Sequence, residues 1–334
     1  MPTLTLRTPF LIFVGDESRV TYAKTGRGIV DWRRDHCAGQ LRLSAGACDL
    51  GLPDMTVAEA AGAGVGSLVI GTALVGGSIP PAWIATLTEA ARAGLDIVAG
   101  LHTRLAGIPE LAAAAAEGGA KLVDVRTAPA DLPVGSGRKR TGMRLLTVGT
   151  DCALGKKYTA LQLERDMRAA GLSADFRASG QTGIMIAGEG VPIDCVVADF
   201  ISGAAEVLSP ENAPNHWDVI EGQGGIFHPG YAAVTHGLLI GSQPDAFVVC
   251  HAAGRTEIEG WPHVPLPSIG DVIERTVQIG RLTNPAIRCV GISVNTSTLP
   301  EGERREYLAR LGKRYGLPAV DPLLTGTAAI IDNL

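Results

Sequence analysis

Aromatic residues make up only 4% of this 334-residue chain and charged residues 19%; 29 basic against 34 acidic side chains leave a net charge of −5. So mild a charge offers no broad surface for a phosphate backbone, which argues against a nucleic-acid partner. No two of the six cysteines form a CxxC pair and none of the seven histidines shows a spacing such as HxxxH, so no metal is assigned. A GxSxG nucleophile elbow is also missing. Residues 60–88 carry no charge, yet six glycines and the pair Pro80-Pro81 would break a spanning helix. That stretch reads as a buried strand, a glycine turn and a helix start, and no membrane partner is expected. The first residues, MPTLTLRTPFLIFVGDE, have neither the basic start nor the cleavage site of a signal peptide, so a cytoplasmic protein is expected.

What is abundant is glycine, 43 residues without a three-residue period, which excludes collagen and fits tight strand-to-helix turns. The length suggests about two domains. In the first half, LIFVG (11–15), SLVIGTAL (67–74), LDIVAGL (95–101) and KLVDVR (121–126) alternate with helical segments from Pro81 to Ala93 and over 109–119. Strands alternating with helices predict a mostly parallel sheet covered on both faces. VGDE, Lys24-Thr25, GTALVGG, GLHTR and Asp124-Val125-Arg126 all follow strands, where a cleft forms. Residues 127–142 are rich in Pro, Gly and Ser and carry Arg138-Lys139-Arg140; this is either a solvated linker or a basic rim beside an anion. The second half restarts with MRLLTVG (143–149) and a helix, with further strands expected at VPIDCVVADF, HWDVIEG, AFVVCH and IRCVGISVN. The expected fold is α/β, two doubly wound mostly parallel sheets: a Rossmann-like domain over 1–137 and a P-loop-like domain over 138–334.

The segment LLTVGTDCALGKKYT holds the strongest chemical signal. A strand ends at Gly149, a loop of Thr150, Asp151, Cys152, Ala153 and Leu154 crosses to Gly155, and a helix opens with Lys156, Lys157 and Tyr158. Loop N–H groups and the helix dipole cradle anions, and lysines add charge. The usual phosphate loop has four residues between its glycines and a hydroxyl after the lysine, which holds Mg²⁺. Here five intervene and Lys157 takes the hydroxyl's place, so a bare phosphate is preferred over Mg²⁺-ATP. Coenzyme A fits that preference. Cys152 lies where thiol acidity rises, although a small loop-filling role is the simpler one.

Downstream, Arg177, Ser179, Gln181 and Thr182 sit on glycine turns suited to holding carboxylate or phosphate, or else form an ordinary hairpin. Asp194 and Asp199 flank the next expected strand as ligands, bases or caps. Glu221 follows a buried strand at the ligand-binding edge, and two glycine turns then present His228, a candidate general base with Glu221 as the second choice. His251 and Arg255 follow the strand AFVVC and border the same edge.

GTDCALGK is similar to the GTDTxxGK loop of dethiobiotin synthetase, and VIEGQGG resembles that enzyme's EGAGG. A closer resemblance covers the chain from about residue 24 to 325 through KTGRGIVDW, AGLDIVAGLHTRL, KLVDVR, GTDCALGKKYTA, RASGQTGIMIAGEG, DFISGA, EGQGGIFHPGY, GSQPDAFVVCH and GISVNTS. This order resembles the bacterial phosphate-loop-like family of the D-glutamate N-acetyltransferases. The resemblance implies acetyl transfer from acetyl-CoA to the amine of D-glutamate, with CoA phosphates on Lys156 and Lys157 and substrate carboxylates on Arg177 and Arg255. A homo-oligomer without a metal is expected. Two rivals stay open: a Mg²⁺-ATP-dependent ligase or kinase, with Thr159 or Thr150 supplying the missing hydroxyl, and a nucleotide-binding switch without turnover.

Overall fold

The computed structural model describes residues 2–334, the side chain of Val75 aside; Met1, where the expected first domain begins, lies outside them. The chain forms two compact units, one of residues 2–127 with 181–192, the other of 128–180 with 193–334.

In the first unit the strands β1 (Phe10–Gly15), β2 (Cys37–Arg42), β3 (Ser67–Ile70), β4 (Asp96–Ala99) and β5 (Leu122–Asp124) form one parallel sheet in the order β2-β1-β3-β4-β5. All residues of β1, β3 and β4 are buried, which accounts for their unbroken apolar runs. Helices α1 (Lys24–Trp32), α2 (Val57–Gly62), α3 (Pro81–Arg92) and α4 (Pro109–Gly118) connect them. Their ends obey local chemistry. Thr56 and Glu59 make a capping box on α2, Pro81 and Pro109 occupy first turns where no N–H is needed, and Gly119 closes α4 in the left-handed region at φ 67°. Trp83, 1% exposed, packs edge-on to Phe13 at 5.2 Å and donates from Nε1 to Asp16 Oδ1 at 2.8 Å.

The second unit holds β6 (Met143–Gly149), α5 (Lys156–Ala169) and β7 (Ala174–Arg177). The chain then returns to the first unit through α6 (Gln181–Ala187), whose first six residues are buried. There Arg33 Nε donates to Ile186 O at 2.9 Å, Thr182 Oγ1 to Thr25 Oγ1 at 3.2 Å, and Arg126 Nη2 to Gln181 Oε1 at 2.9 Å. Gly100 makes room for this helix: a Cβ at that position would lie 2.6 Å from Gln181 Cγ. Thus 181–192, which a cut at 137/138 assigns to the second domain, is built into the first unit.

The second unit continues with α7 (Ile201–Leu208), β8 (Trp217–Ile220), α8 (Ala232–Ser242), β9 (Ala246–Ala252), the antiparallel hairpin β10 (Glu257–Ile258) and β11 (Trp261–Pro265), α9 (Ile269–Gly280), β12 (Arg288–Asn295), α10 (Glu301–Tyr315), β13 (Ala319–Val320) and α11 (Ala328–Ile331). Its sheet runs β13-β12-β9-β6-β8-β7, parallel throughout. Both units are therefore doubly wound α/β folds. Among the described residues no helix is long and apolar enough to cross a membrane.

Two local expectations fail and a third is modified. VPIDCVVADF forms 3₁₀ turns at Ile193–Cys195 and Ala198–Phe200, because β7 pairs directly with β8 and leaves no place for a strand between them. RASGQTG is no hairpin; it runs from β7 into α6. The basic run lies in an exposed stretch without helix or strand, as a solvated linker would, but two of its side chains are tied down. Lys139 Nζ donates to Asp245 Oδ1 at 2.8 Å, and Arg140 caps the carbonyls of Ser209 and Gly241 at 2.8 and 2.9 Å.

Candidate active site

The site is built where four strands end together. Gly149 at the end of β6 registers with Cys250 of β9, while Leu146 of β6 and Arg177 of β7 both register with Ile220 of β8. The loops after β6, β7, β8 and β9 consequently meet at one carboxyl edge, the ligand-binding edge of open α/β sheets.

The phosphate loop leaves β6 with Thr150 N donating to Cys250 O at 3.1 Å. Ala153 at φ 51° and Gly155 at φ 101° adopt the left-handed conformation that turns successive N–H groups to one side. Gly155 caps α5 without any side-chain hydrogen bond, and the positive end of the helix lies at the loop. Lys156, 7% exposed, is folded over the loop, its Nζ donating to Asp151 O at 2.7 Å. Lys157 is half-buried with its ammonium 5.1 Å from the Tyr158 ring centroid. Leu154 is packed beside Cys250. The hydroxyls that a Mg²⁺ site would need are turned elsewhere. Thr159 Oγ1 donates to Gly155 O at 3.1 Å and lies 2.8 Å from Ser293 Oγ, and Thr150 Oγ1 lies 3.1 Å from His251 Nδ1.

Asp151 is fully buried and saturated. Its Oδ1 accepts from Cys152 N at 2.6 Å, and its Oδ2 accepts from Arg255 Nη1 at 2.9 Å and Glu259 N at 2.8 Å. Arg255 also donates to Cys152 O at 2.9 Å. Asp151 and Arg255 together tie the phosphate loop to the chain around β10.

After β8 the chain passes Glu221, whose side chain is directed back under the turn from β7. Its Oε2 accepts from Ser179 N and Gly180 N, each at 3.1 Å. Burial pushes the Glu221 carboxyl up to about 7, and Asp194 adds to the rise, while Lys157 and the two N–H groups oppose it. Gln223 Nε2 donates to Ser179 Oγ at 3.1 Å.

Glycines then carry the chain across the loop, Gly225 approaching so closely that a Cβ would meet Asp151 Cα at 3.3 Å. His228 follows, 1% exposed, stacked on Tyr231 at 4.5 Å and edge-on to Trp261 at 4.6 Å. Its Nδ1 accepts from Gly230 N at 3.1 Å, so the ring hydrogen is on Nε2. Nε2 lies 3.8 Å from Asp151 Oδ1 and has no hydrogen-bond partner among the described residues. Burial, with the nearby Lys156, holds His228 below the usual histidine range against the pull of Asp151. It is a neutral donor.

Asp151, Cys152 and His228 bring one ligand-type atom each to within 4.8 Å of one another, a convergence that spacing does not reveal. The wiring suits a cation poorly: the carboxylate already serves a guanidinium and two N–H groups, and the imidazole presents a hydrogen.

Of the other anticipated residues, Ser179 lies beside Glu221, whereas Gln181 and Thr182 belong to the first unit. Arg177 is 6% exposed and bonded to Asp218 Oδ1 at 2.7 Å and Asp175 Oδ2 at 3.3 Å. Sequence reasoning missed the bond from Thr150 to His251 and the bracing role of Asp151. A buried acid directly after a strand-ending Gly-Thr was the available signal for the latter.

The residues matching the family description "Domain of unknown function (DUF1611_N) Rossmann-like domain" are 36–128, and those matching "Domain of unknown function (DUF1611_C) P-loop domain" are 133–331. The chain belongs to the DUF1611 family. A crystal structure of a DUF1611 family protein from Anabaena variabilis ATCC 29413 shares 34% identity and superposes with a TM-score of 0.88 over 98% of this chain and all of that one. Two relatives named D-glutamate N-acetyltransferase, from a Pseudoalteromonas species and from Tritonibacter scottomollicae, are each 45% identical over 329 residues, 98% of this chain and 99% of theirs. The DUF1611 architecture thus extends over both units.

Proposed function

We propose that this chain is an N-acetyltransferase that moves the acetyl group of acetyl-CoA to the amine of D-glutamate, giving N-acetyl-D-glutamate and CoA. The observation that carries the reading is 45% identity, over essentially the whole length of both proteins, to relatives bearing that name.

The second unit supports acyl transfer through its own chemistry. D-glutamate arrives as an ammonium and becomes nucleophilic only after losing a proton. Glu221, with a carboxyl pushed up to about 7, is matched to that task near neutral pH. It takes the base role that the sequence alone favours for His228, because the one ring lone pair of His228 is occupied by Gly230 N–H. The freed amine attacks the thioester carbonyl. The tetrahedral intermediate carries an oxyanion, and the carbon–sulfur bond breaks as it collapses. The sulfur leaves as a thiolate, and CoA is released once its own sulfur has taken up a proton. The N–H groups at the start of α5, with Lys156 and Lys157, stabilise the negative charge; one such donor is worth about 3–4 kcal/mol.

Arg177 and Arg255 are engaged with buried carboxylates, so neither is assigned to the substrate's carboxylates here. Ser179, fully buried and bonded to Glu221 and Gln223, braces Glu221 and is likewise not assigned to the substrate here. The hydroxyls of Thr150 and Thr159, buried and engaged by His251 and by Gly155 O and Ser293, give the Mg²⁺-ATP ligase reading no support. All six cysteines are described and none is in a disulfide, which supports a reducing, cytoplasmic setting.

The test is thiol release by purified protein from acetyl-CoA with a panel of D- and L-amino acids, without ATP or Mg²⁺. Release with D-glutamate alone is expected. Silence that turns to activity on adding Mg²⁺-ATP would transfer the protein to the ligase class.

A further inference from the structure

We infer that the acetyl group passes through Cys152, so that transfer proceeds by a covalent acetyl-cysteine rather than directly from CoA to the amine; this rests on the acetyltransferase reading above. Three observations converge on the sulfur. Cys152 lies in the phosphate loop, four residues before α5 begins at Lys156, where loop N–H groups and the helix dipole favour negative charge. Its side chain is only partly covered, unlike fully buried Cys250. His228 supplies the decisive one: a 1%-exposed imidazole whose Nε2–H has no hydrogen-bond partner among the described residues, lies 3.8 Å from Asp151 Oδ1, and belongs to a ring with one nitrogen within 4.8 Å of both the Cys152 sulfur and the Asp151 carboxylate. A buried N–H left without a partner is costly, so it marks a place for an acceptor. A cysteine thiolate is an acceptor it can serve, and Tyr231 and Trp261 fix the ring for that purpose.

The shape of acetyl-CoA favours the same assignment. Between its diphosphate and its sulfur runs an arm about as long as four or five extended residues, roughly 15 Å. With a diphosphate seated in the loop, an extended arm carries the thioester away from Cys152 by up to that length. With the acetyl thioester itself at the loop, the oriented N–H groups become the oxyanion donors and both reactive groups come within reach. Lys156 and Lys157 then serve the same end of the donor.

In the first half-reaction the Cys152 thiolate attacks the acetyl carbonyl, the bond from that carbon to the CoA sulfur breaks, and the proton given up by Cys152 ends on CoA. In the second, the D-glutamate amine attacks the acetyl-cysteine, Glu221 accepts the amine proton, the carbon–sulfur bond to Cys152 breaks, and that proton passes from Glu221 to the departing thiolate, returning the thiol and the carboxylate.

Intact-mass spectrometry of the protein after acid quench, with acetyl-CoA and no acceptor, is the test. One added acetyl group, mapped to the peptide bearing Cys152 and lost on a chase with D-glutamate, is expected, together with parallel-line initial-rate kinetics. Cys152→Ala should lose at least a thousandfold in kcat while still binding acetyl-CoA, and Cys152→Ser should accumulate the ester without turning it over. Wild-type turnover of D-glutamate with intersecting lines, no adduct, and a Cys152→Ala variant within a few-fold of wild type would overturn this inference and leave the acetyltransferase reading standing. Absence of thiol release with every acceptor would overturn both.

Discussion

Gly222 and the carbonyl oxygen of Thr147 are packed so closely that a Cβ on Gly222 would lie 1.6 Å from that oxygen. The same glycine donates its N–H to Thr147 Oγ1 at 2.9 Å, pinning the start of the loop after β8 against β6. This contact sets Glu221 beside the phosphate loop. Gly222→Ala cannot be absorbed by a flexible side chain, since the opposing atom is backbone in the middle of a sheet. Denaturant unfolding of Gly222→Ala should show a loss of about 3 kcal/mol or more, and activity should fall even where the variant remains folded.

Glu221→Gln should lower kcat/KM by about 10²–10⁴, the usual worth of a positioned base. In the wild type kcat/KM should rise with pH through about 7, because only the ionised carboxylate accepts the amine proton. That inflection should vanish in Glu221→Gln and persist in His228→Asn, whatever rate each retains. Stability should move in the opposite sense. The folded carboxyl keeps its proton to about pH 7 and the unfolded one releases it near 4.5, so the folded state binds the extra proton between those values. Wild-type stability relative to Glu221→Gln is thus highest below about 4.5 and declines toward pH 7, by on the order of 3 kcal/mol. A pH series of unfolding curves measures it.

Lys157 favours the ionised form of Glu221. Lys157→Met should therefore shift the acidic limb of kcat/KM to higher pH, while Lys139→Met, whose ammonium is bonded to Asp245, should leave it in place. An unmoved limb in Lys157→Met would show that this cation does not act on the base.

Arg255→Met leaves Asp151 charged and buried without its guanidinium. Breaking such a pair costs about 3–5 kcal/mol, here eased by the two N–H groups that Asp151 keeps. Calorimetry should register a clear fall in Tm. Because Arg255 also holds Cys152 O, KM for acetyl-CoA should rise as the loop loosens.

Most of the fold follows from local pattern. Buried parallel strands are mostly apolar, so β1, β3, β4, β6, β9 and β12 announce themselves as short apolar runs bounded by glycine or polar residues. The phosphate loop is equally plain, because anion binding by backbone demands glycine at set places and lysine beside them. VPIDCVVADF misleads for the converse reason: it has a strand's composition, but the sheet has no open edge for it between β7 and β8.

The sequence by itself determined two parallel α/β units, the glycine- and lysine-bearing loop after β6, and the position of Glu221 just after a strand. Tertiary structure decided their roles. Only packing shows that α6 belongs to the first unit, that Arg177 and Arg255 are engaged by Asp218 and Asp151, and that His228 is a donor while Glu221 is the raised carboxyl. The reason is physical. Composition and periodicity record what each segment buries, but protonation and hydrogen-bond direction depend on which groups from distant segments are buried together.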